Sequence, residues 1–239
     1  MSSPKRNGAS RFRGMALYRP AIPWLAVSGI VSIILLIAGV WLSSSYLLPG
    51  LVVGYLSAQA AWFFRDPERD SIDNPQAMIS PADGVICQVD RVDAVDGYIS
   101  DGWTRIGVFM DLLDVHINRA PVSGYIASSK HILGSKKNAA AIDAPYVNER
   151  RYTEIITHQA SRRLLVLQIA GLVARRIVPF VKDRQTIEAG ERIGLIKFGS
   201  RVDLLIEGSV DILVREGQRV RAGETVLAYL PASDTRREL

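Results

Sequence analysis

A single cysteine, Cys87, is all the chain contains. It excludes an internal disulfide and offers no zinc-ligand spacing, so nothing requires an oxidising compartment and no metal site is expected. Histidine is nearly as scarce. With only His116, His131 and His158, proton transfer near neutral pH has few candidates. Acidic residues number 24 against 29 basic ones, for a net charge of +5. That sign suits either nucleic acid or an anionic membrane surface. No recognition helix or aromatic stacking platform accompanies it, so no nucleic-acid partner is expected.

Charge of either sign is missing from Pro20 to Phe64, a run of 45 residues without Asp, Glu, Lys, Arg or His. Such a run is too long and too apolar for a soluble core helix. A bilayer core of about 30 Å needs roughly 20 helical residues, so the run suits two membrane helices, near 22–42 and 46–64, turning at Ser43-Ser44-Ser45. A re-entrant hairpin dipping into one leaflet has the same composition. The tail before it, 1–21, carries Lys5, Arg6, Arg11, Arg13 and Arg19, and Arg65 and Arg69 follow the run. Positive charge at both ends places tail and downstream domain in the cytoplasm. A cleaved signal peptide fits poorly, because its apolar region is about 7–15 residues.

At Arg65-Asp66-Pro67-Glu68 the composition turns abruptly charged, which divides a membrane hairpin, 22–65, from a soluble part, 66–239. The soluble part shows nine short apolar runs separated by Gly, Pro, Asp and Asn: 84–89, 104–110, 124–133, 152–157, 164–169, 192–198, 202–206, 210–214 and 225–230. Runs of that length with little helical periodicity predict a mainly β fold, a sandwich or barrel. One short helix is expected after Pro67 or over 170–179. Residues 215–226 look like the hammerhead turn of biotinyl and lipoyl domains, although the modified lysine between two methionines is missing. The stretches 81–89 and 206–214 both set a glycine turn before a strand, which leaves an internal duplication open.

Gly199-Ser200 lies between two of these strands. Glycine admits strained backbone and close approach, and serine brings a hydroxyl. An ordinary turn has the same local sequence. His116 sits at a strand end, where a titratable group can meet a ligand or merely cap a loop. Asp83, before Gly84, could equally be a turn aspartate accepting backbone N–H bonds.

Ser80-Pro81-Ala82-Asp83-Gly84, Asp114-Val115-His116-Ile117-Asn118-Arg119-Ala120-Pro121, Asn148-Glu149-Arg150 and Phe198-Gly199-Ser200 occur in this order after the apolar hairpin. With them the chain resembles the phosphatidylserine decarboxylase family, in its short membrane-associated branch, over essentially its whole length. The resemblance implies a proenzyme in which Ser200 attacks the Gly199 carbonyl and, after elimination and loss of ammonia, carries a pyruvoyl group as covalent cofactor. It implies a large chain, 1–199, and a small chain, 200–239, forming a heterodimer that is compatible with a higher homo-oligomer. The implied reaction, in phospholipid biosynthesis at the cytoplasmic membrane, takes phosphatidylserine to phosphatidylethanolamine and CO₂, with the pyruvoyl carbonyl condensing with the serine amine as electron sink.

His116 matches the family's active-site histidine and is expected to return a proton after CO₂ leaves. Asp83 matches the aspartate of the processing apparatus, expected to orient and charge-stabilise a base. Larger relatives carry a second histidine where Arg119 stands, so the processing base stays open among His116, His131 and His158. Arg119 could instead hold the substrate's carboxylate or phosphate. Lys136 and Lys137, in the small-residue loop 134–141, are expected at the headgroup surface. Two other readings compete. One is an ether-lipid (archaetidylserine-type) decarboxylase with the same chemistry; the other is a non-enzymatic membrane adaptor with a lipoyl-like domain, which usually needs a coiled coil for which there are no heptads.

Overall fold

The structure, a computed structural model, describes residues 15–72, 74–95, 98–158, 162–172, 176–197 and 199–230. Most of the expected basic tail, and Phe198 of the Phe-Gly-Ser motif, lie outside the described residues. The chain divides into two compact units, Met1–Glu68 and Arg69–Leu239.

In the first unit, strand β1 (Met15–Leu17) precedes helices α1 (Ile22–Trp41) and α2 (Leu47–Phe63), and β2 (Arg65–Pro67) follows them. β1 and β2 pair antiparallel and close the base of the hairpin, a ribbon the sequence reading did not anticipate. Both helices are long and apolar enough to cross a membrane. They pack through small residues. The Ser32 hydroxyl donates to the Gly50 carbonyl at 2.8 Å, and a Cβ on Gly50 would meet Leu36 side-chain atoms at 3.0 Å, the close approach that small residues allow. Several of their other apolar side chains, including Ile33, Ile34, Ile37 and Leu51, are more than half exposed.

The second unit is β3 (Ala77–Ile79), β4 (Gly84–Val95), β5 (Tyr98–Met110), β6 (Ile117–Arg119), β7 (Gly124–Ile132), the short helix α3 (Ala144–Val147), β8 (Arg150–Thr157), β9 (Arg163–Ala170), β10 (Arg176–Pro179), β11 (Thr186–Ile187), β12 (Arg192–Lys197), β13 (Ser200–Glu207), β14 (Asp211–Ile212), β15 (Arg219–Val220) and β16 (Val226–Tyr229). An eight-stranded antiparallel sheet, order β11-β7-β8-β9-β13-β5-β4-β15, curls into a half-barrel. Two three-stranded sheets, β10-β12-β6 and β14-β16-β3, complete the unit. The mainly β architecture expected from the apolar runs is present, and each of the nine runs contains a strand.

Alternation along β13 sets the layers, since successive side chains point to opposite faces. Val202, Leu204 and Ile206 join the main core with Ile106, Val108, Leu164 and Val166 of the large sheet and Met78, Ile193, Ile196 and Leu227 of the small ones. Leu205 faces the other way, into a second cluster with Trp103, Tyr152, Leu165, Leu167 and Ile169, covered by Ala144 of α3. The hammerhead segment makes two tight turns, with Gly217 and Gly223 at φ +83° and +77°. Among the described residues of 170–179 there is no helix. β10 occupies 176–179 and pairs with β12, because Ile177 and Val178 gain more from a pleated surface than from a helical turn. The segment after Pro67 is likewise non-helical. The two glycine-led stretches also differ in setting: β4 is a long strand between β5 and β15, whereas β14 is two residues beside β16.

The outer face of β13 holds a buried ion pair next to the Gly-Ser junction. Arg201 Nε donates to Asp203 Oδ1 at 2.5 Å and Arg201 Nη2 to Asp203 Oδ2 at 2.9 Å and Gln88 Oε1 at 2.6 Å. Both members are at most 1 % exposed. Burial holds the Asp203 carboxyl above its ordinary value in spite of Arg201. Removing one partner of such a pair strands the other charge, at about 3–5 kcal/mol. Asp203→Ala is therefore expected to lower the melting temperature by roughly 6–20 °C, as read by thermal unfolding in detergent.

Candidate active site

Antiparallel order gathers one end of the large sheet around β13. There β7 leaves at Ile132, β8 enters at Arg150, β9 leaves at Ala170, β13 enters at Ser200, β5 leaves at Met110 and β4 enters at Gly84. Ser200 is central, paired with Ala170 on one side and Met110 on the other.

Gly199 has φ +42°, in the left-handed region. A Cβ there would meet nothing within 4 Å, so glycine is required by its dihedral and not by crowding. The Gly199 carbonyl oxygen accepts a hydrogen bond from the Gly171 N–H at 3.1 Å. Gly171 directly follows Ala170, and a Cβ on it would sit 2.3 Å from that oxygen. An N–H aimed at a carbonyl polarises it toward attack and stabilises negative charge developing on its oxygen. The sequence reading missed Gly171, because a glycine after a strand carries no signal of what its N–H will meet.

The Ser200 hydroxyl is wholly buried and donates to Met110 Sδ at 3.4 Å. Asn118 Nδ2 reaches the same sulfur at 3.6 Å, and Gln168 Nε2 donates to Asn118 Oδ1 at 2.7 Å. Asn118 and Gln168 are both fully buried. Gln168 Oε1 has no hydrogen-bond donor among the described residues, an acceptor held inside at desolvation cost. Asn118 lay within a quoted motif without a role, and Gln168 was not singled out at all.

His116 is fully buried immediately before β6, and its carbonyl accepts from the Ile196 N–H at 3.3 Å. Its Nδ1 is 3.0 Å from the Asp114 carbonyl oxygen. A carbonyl can only accept, so Nδ1 carries the hydrogen and Nε2 is the basic nitrogen of the neutral ring. His131 pairs with Arg151, three strand spacings or about 14 Å from β13, and contacts Glu149 at 3.1 Å. His158 follows β8 at the opposite end of the sheet, more than about 20 Å along the strand. There it lines a cavity of about 400 Å³ with Ser71, Ser123 and Glu188. His158 is thus at the wrong end and His131, though near the Ser200 end, is three strands away, which leaves His116 as the histidine beside β6 and β12.

Asp83 precedes β4 at this same end. Its Oδ2 is 2.7 Å from Arg69 Nη2 and its Oδ1 accepts the Ala222 N–H at 2.7 Å. Burial raises its carboxyl above the ordinary value, against the pull of Arg69, and Asp114 adds to the rise. Asp114 accepts from the Asp111 N–H at 2.9 Å and from Arg219 at 3.1 Å. Asp83 thus ties residues on both sides of the Gly-Ser junction, Arg69 before it and Ala222 after it.

Arg119 is 5 % exposed. Its Nη1 donates to the Gly190 carbonyl at 2.9 Å and its N–H to Pro81 at 2.9 Å, so its guanidinium braces a turn. Lys137 Nζ lies 3.3 Å from Asp143, and Lys136 is exposed. Asn148, fully buried, fastens their loop to the site: its Nδ2 donates to the carbonyls of Lys137 and Ala170 at 2.8 and 2.9 Å, and its Oδ1 accepts from the Lys137 N–H at 3.1 Å.

In this mainly β unit the buried central serine follows a backbone carbonyl held by an N–H, which sets a hydroxyl beside a polarised peptide bond. Residues 56–228 match the family model for phosphatidylserine decarboxylase. A phosphatidylserine decarboxylase proenzyme of Pelagibacter ubique is 41 % identical over 207 residues, covering 86 % of this chain and 92 % of that protein. Proteins of the same name from Azorhizobium caulinodans and Zymomonas mobilis are 40 % identical over 222 residues and 43 % over 192, covering 92 % and 78 % of this chain and 91 % and 78 % of theirs. The chain belongs to the phosphatidylserine decarboxylase family.

Proposed function

We propose that the chain cuts itself between Gly199 and Ser200 and then decarboxylates phosphatidylserine to phosphatidylethanolamine. One observation carries the reading: the buried Ser200 hydroxyl follows a carbonyl whose oxygen is bonded to the Gly171 N–H. His116 Nε2 takes the hydroxyl proton, since free serine is a poor nucleophile. Ser200 Oγ attacks the Gly199 carbonyl carbon, the carbon–nitrogen bond to Ser200 breaks, and an ester replaces the amide. Loss of the Ser200 α-proton and of the carbon–oxygen bond releases Gly199 as a carboxylate. Water then displaces ammonia from the dehydrated residue and leaves a ketone.

The surroundings fit the resulting pyruvoyl group. It keeps the place of Ser200 between β5 and β9, and Gln168 Oε1 offers a buried acceptor nearby for a substrate ammonium. The group supplies a carbonyl electron sink. Asn118 orients Gln168, and His116 returns a proton to the carbon that CO₂ has left. Asp83 holds the two products together through Arg69 and Ala222 and sustains the field at Asp114 and His116. Lys136 and Lys137 act on the substrate's anionic groups from the rim, while the buried Arg119 braces the turn at Gly190. The chains 1–199 and 200–239 stay joined as a heterodimer because β13 lies inside the large sheet and β15 and β16 pair with β4 and β3. The hairpin anchors the enzyme in the cytoplasmic membrane, with positive charge at both ends keeping the catalytic unit in the cytoplasm.

Intact mass tests the reading. Two chains are expected, the smaller beginning with a pyruvoyl group at position 200, and a single full-length chain in a preparation that releases CO₂ would refute it. His116→Ala is expected to remain unsplit. A split but inactive variant would confine His116 to the decarboxylation step.

A further inference from the structure

We propose that the Ser200 end of the large sheet is itself a bilayer-docking face, whose occupant is the surface of an anionic phospholipid membrane. The proposal rests on the lipid-decarboxylase reading and specifies how the site meets its substrate. Leu113, Leu133, Ile142 and Leu172 are 65, 80, 79 and 70 % exposed, and no other large apolar side chain described in residues 69–239 is as open. All four fall at one place. Leu113 follows the end of β5, Leu133 the end of β7 and Leu172 the end of β9, and Ile142 lies in the loop that Asn148 fastens to Ala170. Loop tips with apolar side chains in water lose free energy roughly in proportion to area, which an acyl layer removes.

Charge matches the same occupant. Lys136, Arg176 and Lys197 border this end, with Arg176 and Lys197 cross-strand partners two residues before Gly199. Lys137 and Asp143 largely cancel, and Asp111 is an exposed acid there. A basic rim around apolar tips is the composition of a headgroup-and-acyl contact. A lipid headgroup could then reach Ser200 without leaving the bilayer.

The test uses the full chain with Cys87→Ala, reconstituted into phosphatidylcholine–phosphatidylglycerol vesicles containing an acyl-chain nitroxide lipid. A fluorophore on Leu172→Cys or Leu133→Cys is expected to be quenched at least about twofold, and one on Ser209→Cys, beyond the far end of β13, to be unaffected. Equal signals at the two ends would overturn the proposal, as would protection of position 172 by a second copy without quenching. Paired Leu133→Ser and Leu172→Ser changes are expected to cut decarboxylation of bilayer phosphatidylserine at least about tenfold, with self-cleavage complete and turnover of a water-soluble short-chain phosphatidylserine retained. Equal losses on both substrates, or none, would also overturn it. A wild-type chain that releases CO₂ from neither substrate would refute the enzymatic reading alone, and the quenching contrast would still decide the docking face.

Discussion

Ser200→Ala is expected to yield one chain of 239 residues, no pyruvoyl group and no CO₂, with the fold intact. The loss is complete because the same oxygen is required twice, first as nucleophile toward the Gly199 carbonyl and then as leaving group when the α-proton is lost. Structural damage should be small. Ser200 is placed by backbone pairing to Met110 and Ala170, and its hydroxyl gives up only a bond to a thioether sulfur at 3.4 Å, a weak acceptor. A net cost of about 0.5–1.5 kcal/mol is the upper range for such a bond, a few degrees in melting temperature. Intact mass, CO₂ release and thermal unfolding on one preparation check all three statements. Residual CO₂ release from an unsplit variant would show that the activity does not come from position 200.

The junction shows why a sequence can point to a site without describing it. Apolar runs of strand length located the strands around Ser200, since alternation and flanking turn residues are local signals. The short strands β6 and β15 were not legible, because they exist through a partner far along the chain: Ile117 through Leu195, and Arg219 through Val85. The helix expected over 170–179 failed on the same ground, since the pairing of β10 with β12 outweighs local preference. The candidate residues came from four ordered motifs, and a motif names residue types, not their contacts. It marked Asp83 without Arg69 or Ala222, Asn148 without its bonds to the loop and to Ala170, and Arg119 without the carbonyl of Gly190. Gln168 and Gly171 lay outside every motif. Each acquires its place from the antiparallel register of β9 against β13, which is a tertiary fact.

That register makes Gly171→Ala the sharper probe of how the chain cuts itself. The added methyl group would lie 2.3 Å from the Gly199 carbonyl oxygen and 3.1 Å from its carbon, so the scissile carbonyl must move off the N–H that holds it. Loss of one such donor costs about 100- to 1,000-fold in rate, and splitting followed after a pulse of synthesis is expected to slow by that factor. Ala139 offers a control. Its Cβ would be 3.2 Å from the new methyl, so a second change, Ala139→Gly, relieves that crowding but not the clash with the carbonyl, and splitting should stay slow. Once split, Gly199 is a free carboxylate that no longer carries the reacting bond, so CO₂ release per pyruvoyl-bearing small chain should remain within a few-fold of wild type. Splitting at the normal rate would remove the Gly171 N–H from the mechanism. Slow splitting matched by a large fall in melting temperature would assign the glycine to the fold instead.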